Sequence, residues 1–402
     1  MDMEQQKRKG WGLFALGLVV GLLVALIITS IIFRKSAIFG DDSFMNDRVL
    51  GKVQSLEGLI HEKFYLKDMT DEELEAGLYR GMMDALDDPY SVYYTMDELN
   101  SLMDQTQGIY YGVGAYVSID TDTSLPKISG IIEGTPAEEA DLRANDLIYK
   151  VDGQSTQGLE LSEVVALIKG PEGTTVKLTL VRDGENDYIE KVVARRKVES
   201  PTVKYEMLDD QMAYVQITEF DEVTVDQFAD ALATVKGSDA KGMILDLRGN
   251  PGGNLSAVVD IGRMILPKGL IVYTEDKEGT RKEYKCDGLR EWKLPLVVLV
   301  DGNSASAAEI LSGAIQDYKL GTLVGTTTFG KGIVQQIFSL GDGSAVKMTI
   351  SSYYTPNGRN IHGTGIEPDV VCEFDGETYY STEDHYDNQL EKAKEELKKQ
   401  IR

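Results

Sequence analysis

Hydrophobic and polar positions change their period several times along this chain. Residues 10–33 carry no charge and are mostly Leu, Val, Ile, Ala and Gly. As a helix, that run would be about 36 Å long, enough to cross a hydrocarbon core of roughly 30 Å. Lys7, Arg8 and Lys9 precede it. The pattern therefore predicts a cytoplasmic tip and membrane anchor over residues 1–35, with the rest exported. A cleaved signal peptide fits less well, because the apolar run is long and no A-x-A site follows. Residues 36–105 then take a helical period, with Val49, Val53, Leu56, Leu59, Ile60 and Phe64 recurring at helical spacing. Thr70 and the acidic residues after it predict a capped second helix, closed near Pro89.

Residues 106–185 turn to short β-like runs at 110–117, 127–132, 147–151 and 176–181. Gly112 and Gly114 interrupt the first run, and helical stretches start at Pro136 and at Leu161. From 186 to 380 the pattern is α/β. Residues 213–217, 243–247 and 296–300 are continuous apolar strands, and helical stretches cover 225–235 and 306–316. Residues 381–402 predict a charged C-terminal helix with Glu391, Glu395 and Lys398 on its solvated side. The N- and C-terminal helices either pack on the body or form the contacts of a homodimer.

Composition narrows the chemistry. The 402 residues are 42% hydrophobic, enough for several cores, and their net charge is −25. So acidic a surface repels phosphate backbones, which excludes nucleic acid as a partner. Two cysteines and three histidines rule out a disulfide framework and a histidine-rich metal site. No metal or other cofactor is expected.

Three segments could carry chemistry. Gly325 to Gly332 imitates a phosphate-binding loop, but Gly332 stands where a hydroxyl should ligand magnesium, and a strand pattern follows instead of a helix. Nucleotide binding is rejected on both counts. What remains is Lys331 on a glycine-flanked turn, either a solvated lysine or, if buried, a general base. Gln335, four residues on, would share its face. The second segment, Asn303-Ser304-Ala305-Ser306-Ala307-Ala308-Glu309, follows a buried strand and opens a helix. Such a corner can present a serine hydroxyl beside free helix amides, although Ser306 with Glu309 is also a plain capping box. His362 leaves a Ser-His-Asp triad open, without a nucleophile-elbow pattern to support it. The third segment, Asp246 to Gly253, ends a strand in a glycine turn whose amides could hold an oxyanion.

These segments resemble the carboxyl-terminal processing peptidases, the tail-specific serine peptidases. Asn303 to Ile310 is similar to their nucleophile segment, and Phe329-Gly330-Lys331-Gly332-Ile333-Val334-Gln335 to their base segment. Asp246 to Gly253 and Gly363 to Asp369 are further blocks of that kind. The resemblance spans about residues 45–375. It implies a multidomain α/β protein with an N-terminal transmembrane helix, a helical N-terminal region, a PDZ domain over 106–185 and a ClpP/crotonase-like peptidase core over 186–380. It further implies Ser306 as nucleophile, Lys331 as base, Gln335 as its orienter, and Ala307 with Gly252 or Gly253 as oxyanion donors. Protein or peptide substrates would enter by their C-termini, held by Tyr111, Gly112, Val113 and Gly114. Lys169 stands where the family usually has an arginine that relays PDZ position to the active site; lysine keeps the charge without the planar fork. The expected function is a membrane-anchored serine endopeptidase that cleaves exported proteins. The alternative is a catalytically inactive PDZ scaffold that only binds tails.

Overall fold

A computed structural model describes residues 44–401. The apolar run at 10–33, and with it the predicted anchor, lies outside the described residues. Among those described, no helix is long and apolar enough to cross a membrane.

The described residues fall into two compact units that divide after Met82. The first holds helix α1 (Asp47–Lys63) and most of α2 (Asp71–Asp84). Asn46 caps α1 by accepting the Val49 N–H. The predicted capping box opens α2: Thr70 N–H donates to Glu73, and Glu73 N–H donates back to the Thr70 hydroxyl.

The second unit begins with β1 (Val92–Tyr94) and α3 (Met96–Gln107). A β-rich module follows: β2 (Ile109–Gly112), β3 (Ala115–Ile119), β4 (Pro126–Ile131), the short α4 (Pro136–Glu139), β5 (Leu147–Val151), β6 (Gln154–Ser155), α5 (Leu161–Ile168), β7 (Thr175–Val181) and β8 (Ile189–Ala194). Its sheet runs β3-β4-β5-β7-β8 with β6 against β5, so β3 is a free edge. β9 (Arg196–Glu199) leaves the module by pairing with β2. Two boundaries therefore shift. The module runs through Ala194 rather than ending at 185, because β8 completes its sheet against β7. Residues 92–94, expected within a helical region, form a strand that pairs with residues 345–347 of the core.

The core contains β10 (Val203–Leu208), β11 (Met212–Ile217), α6 (Glu222–Gly237), β12 (Gly242–Asp246), α7 (Leu255–Ile265), β13 (Gly269–Asp276), β14 (Arg281–Cys286), β15 (Leu296–Val300), α8 (Ala307–Asp317), β16 (Thr322–Gly325), β17 (Ile333–Ser339), β18 (Ala345–Tyr354), β19 (Val370–Val371), α9 (Gly376–Ser381) and α10 (Asn388–Gln400). One sheet has the order β10-β11-β12-β15-β16-β19, parallel from β11 onward. Its central strands β12 and β15 are buried along their whole length because both faces are covered. Ala213, Val215, Met243, Leu245, Val298 and Val300 face α6, α7 and α8, while Met212, Ile244, Val297 and Leu299 face α10. The second sheet joins β1, β18, β13 and β14, with β17 on β18. The C-terminal helix is thus not a free surface helix: Ala393 and Leu397 are wholly buried against the sheet. Arg248 pins its start by ion pairs to Asp246 and Asp387.

Candidate active site

The parallel strand β15 ends at Val300, and the chain turns through residues 301–306 before α8 begins. Ser304 is fully buried in that turn; its hydroxyl donates to the Leu247 carbonyl at 2.8 Å and accepts the Asp301 N–H at 2.9 Å. It braces the turn and does not reach the cleft. Ser306 sits at φ +52° and ψ −110°, a conformation that costs an L-residue about 1–3 kcal/mol and persists only where surroundings impose it. Here its N–H donates to Glu309 at 2.8 Å, and its carbonyl accepts the hydroxyl of buried Tyr353 at 3.1 Å.

The glycine turn after β12 packs on this corner. A Cβ on Gly252 would lie 2.8 Å from Ser306 Cβ and 2.9 Å from the Ala307 nitrogen, so only glycine allows the approach. Buried Asn250 orders the turn, donating to the Ile217 carbonyl and accepting the Gly252 N–H at 2.8 Å. That bond separates the two glycines proposed as oxyanion donors. The Gly252 amide is already engaged, whereas the amides of Gly253 and Ala307 have no acceptor among the described residues.

Lys331 lies in the loop before β17. Its backbone N–H donates to Glu309 at 2.9 Å, and its amine rests 4.4 Å from the centre of the Tyr90 ring. Burial, and secondarily the charge of Lys347, hold the amine below the ordinary lysine range, with Asp88 pulling the other way. Among the described residues no hydrogen bond joins the amine to Ser306. Gln335 does not meet it either: its side-chain amide donates to the Thr349 hydroxyl at 3.1 Å. The register of β17 on β18 slips between Val334 and Gln335, which breaks the simple spacing that put Gln335 on the lysine's face.

One buried carboxylate ties the two segments together. Glu309 accepts the N–H of Ser306, Gly330 and Lys331 and the Thr328 hydroxyl, and no part of it is exposed. Sequence reasoning saw it only as a capping partner. Tyr90 and Thr349 gave no local signal at all. Ser306, Ala307, Gly253, Lys331 and Gln335 all line a single cleft of about 550 Å³, together with Glu219, Asp221 and Lys347. His362 is exposed, is not among the cleft's lining residues, and has its backbone against Gly332.

A second, smaller groove of about 60 Å³ lies between β3 and α5, lined by Tyr110, Gly112, Val113, Gly114 and Lys169 among others. The amides of Val113 and Gly114 have no acceptor among the described residues. Tyr111 does not line the groove; its carbonyl instead accepts the Gly170 N–H, and Tyr110 takes its place. The Lys169 amine stands 5.5 Å from the Tyr110 ring centre. Arg195, which no sequence pattern marked, holds the end of α5 by donating to the Leu167 and Ile168 carbonyls.

Comparison with known proteins adds three matched regions. Residues 211–372 match peptidase family S41, residues 127–182 the PDZ domain, and residues 35–98 the N-terminal domain of the activating protease CtpB. The carboxy-terminal processing protease CtpA of Bacillus subtilis is 38% identical over 359 residues, covering 88% of this chain and 75% of that one. A carboxyl-terminal-processing protease of Synechocystis is 36% identical over 319 residues, or 78% and 75% of the two chains. The solved photosystem II D1 C-terminal processing protease is 30% identical, covers 80% of this chain and 86% of its own, and has a TM-score of 0.48.

Proposed function

The chain belongs to peptidase family S41, the carboxy-terminal processing proteases, and we propose that it cleaves exported proteins near their C-termini with a Ser306–Lys331 dyad. It is a serine-type peptidase with a PDZ domain. The observation that carries the dyad is the one cleft that both residues line beside two unengaged amides. The neutral Lys331 amine takes the Ser306 proton as Oγ attacks the scissile carbonyl carbon. The Ala307 and Gly253 amides receive the oxyanion. The protonated amine then passes its proton to the leaving amino group, and water hydrolyses the acyl-enzyme by the same route in reverse. In the resting arrangement the amine lies on Tyr90, so a rotation of the lysine side chain precedes attack. Tyr90 and Lys331 are both half-buried, and a cation over a ring there gains about 1–2 kcal/mol, a modest barrier to that movement. Gln335 then orients the amine once it leaves the ring.

The pH profile tests the base. Only the neutral amine accepts the serine proton, and burial brings that form within reach at a lower pH than for a solvated lysine. The rate of peptide cleavage should rise from pH 6 to pH 9, and Lys347→Met should move the rising limb to higher pH by removing a neighbouring positive charge. A rate that falls steadily over that range, on protein shown by circular dichroism to stay folded, rules lysine out.

The PDZ groove takes the substrate's C-terminus. A peptide adds as a strand to the free edge of β3, and its carboxylate meets the Val113 and Gly114 amides. Amidating the peptide weakens these charge-assisted bonds, roughly 1.5–3 kcal/mol each, so binding measured by fluorescence anisotropy should fall at least tenfold. Equal affinity for free-acid and amidated peptides would reduce the domain to a spacer. Lys169 relays capture to the core, and Lys169→Ala should lower turnover more than tail binding. Residues 10–33 anchor the enzyme in the membrane with its catalytic part outside the cytoplasm. A homodimer uses the N-terminal helices, where Leu56 and Leu59 are more than half exposed, since α10 has its apolar face in the core.

A further inference from the structure

The cleft carries two carboxylates that the mechanism does not use. Glu219 and Asp221 both line it, on the segment that joins β11 to α6. Between them, Phe220 is bound to the oxyanion turn from both sides: its N–H donates to the Gly252 carbonyl at 2.8 Å, and its carbonyl accepts the Asn254 N–H at 2.6 Å. The two side chains are therefore fixed to the wall that adjoins Ser306. Asp221 is only 4% exposed, while Glu219 is exposed. Neither meets a lysine or arginine among the described residues; the lysines of the cleft, Lys331 and Lys347, come from the loop before β17 and from β18.

A nearly buried carboxylate beside a second one is costly unless a cation arrives. We propose that Glu219 and Asp221 form a specificity subsite for a lysine or arginine side chain of the substrate, lying within a few residues of the scissile bond. This rests on Ser306 marking the site of cleavage. The segment's attachment to the oxyanion turn supplies the proximity, and the lack of any internal cation supplies the vacancy in charge. Asp221 also caps the start of α6 in a box with Thr224, and burial, with Glu219 as its neighbour, lifts its carboxyl to about 7, as expected of an acid with no cation beside it in the free enzyme. The net charge of −25 would also draw basic segments toward the enzyme. Lys347 adds a positive charge to the same cleft and disfavours a cation near it, so the preference is expected at the position beside Glu219 and Asp221.

The test uses the full-length chain and peptides with a constant C-terminus, in which lysine replaces norleucine at one position at a time. In the wild type, one position should favour lysine over norleucine by at least tenfold in kcat/KM. In Glu219→Gln with Asp221→Asn, the lysine-to-norleucine ratio at that position should fall to near one. A ratio within each variant is unaffected by a general loss of activity. Asn retains a side-chain oxygen at the N-terminus of α6, and Glu219→Gln alone, at an exposed position, gives a second reading if the double variant folds poorly. A wild type with no lysine preference, or a preference that survives both substitutions, overturns the subsite. Should the wild type cleave nothing, the proposed function fails on its own account, and the subsite is read by anisotropy on full-length Ser306→Ala. There, tighter binding of the lysine peptide that Asp221→Asn abolishes supports it, and equal binding of the two peptides overturns it.

Discussion

Ser306→Ala and Lys331→Ala are each expected to reduce peptide cleavage by at least about a thousandfold, with the thermal unfolding midpoint nearly unchanged. The stability should nearly hold because the functional end groups add only the Ser306–Glu309 capping box and the Lys331 contact with the Tyr90 ring. The bonds that fix Ser306 come from its backbone N–H and carbonyl, and Lys331 is likewise held by its backbone N–H to Glu309. Members of one catalytic unit are not additive, so the double variant should be no slower than either single one. Ser304→Ala gives the opposite signature. It leaves the Leu247 carbonyl without its hydroxyl donor, which costs about 1–3 kcal/mol of stability, and the protein that remains folded still cleaves. His362→Ala is expected to leave turnover within about twofold, a margin worth less than 0.5 kcal/mol. Loss of cleavage on replacing this exposed histidine, in protein that stays folded, would return the mechanism to a histidine base.

The parts of the site that were legible in the sequence are those in which local pattern and local geometry coincide. The unbroken apolar strands announced a sheet covered on both faces, whereas the glycine turn at 246–253 was legible only as a possible oxyanion holder, and its close approach to Ser306 at Gly252 was not. What was not legible depends on partners far along the chain. β1 is three residues long, too short for alternation to show, and exists because β18 pairs with it from residues 345–347. Tyr90 meets the Lys331 amine through that pairing, across more than two hundred positions. Gln335 was placed by a four-residue spacing that holds only for a regular element, and the slip in β17 cancels it. In α10 the abundance of Glu and Lys concealed a narrow stripe at Ala393 and Leu397, which is all that packing on the sheet requires.

Glu309→Gln should be the most damaging change that leaves every reacting atom in place. The carboxylate is wholly buried and takes four donors, three of them backbone N–H groups at 2.8–2.9 Å. One oxygen accepts from Thr328 and Gly330, the other from Ser306 and Lys331. A glutamine must turn its NH₂ toward one of these pairs, and either choice sets a donor against a backbone N–H. Each charge-assisted bond lost costs about 1.5–3 kcal/mol, so the unfolding midpoint should drop by several degrees. Activity should fall further than stability explains. The same carboxylate fixes the backbone of both Ser306 and Lys331, and a displacement near 1 Å at reacting groups costs about a hundredfold in rate. The expected result is kcat down by at least that factor at a temperature where circular dichroism shows the variant folded, with KM changed much less, since Glu309 does not line the cleft. Glu309→Asp should not restore the rate, because its shorter side chain cannot reach the loop before β17 and the start of α8 together. A Glu309→Gln enzyme with near-normal kcat would show that the two segments hold their alignment without this carboxylate.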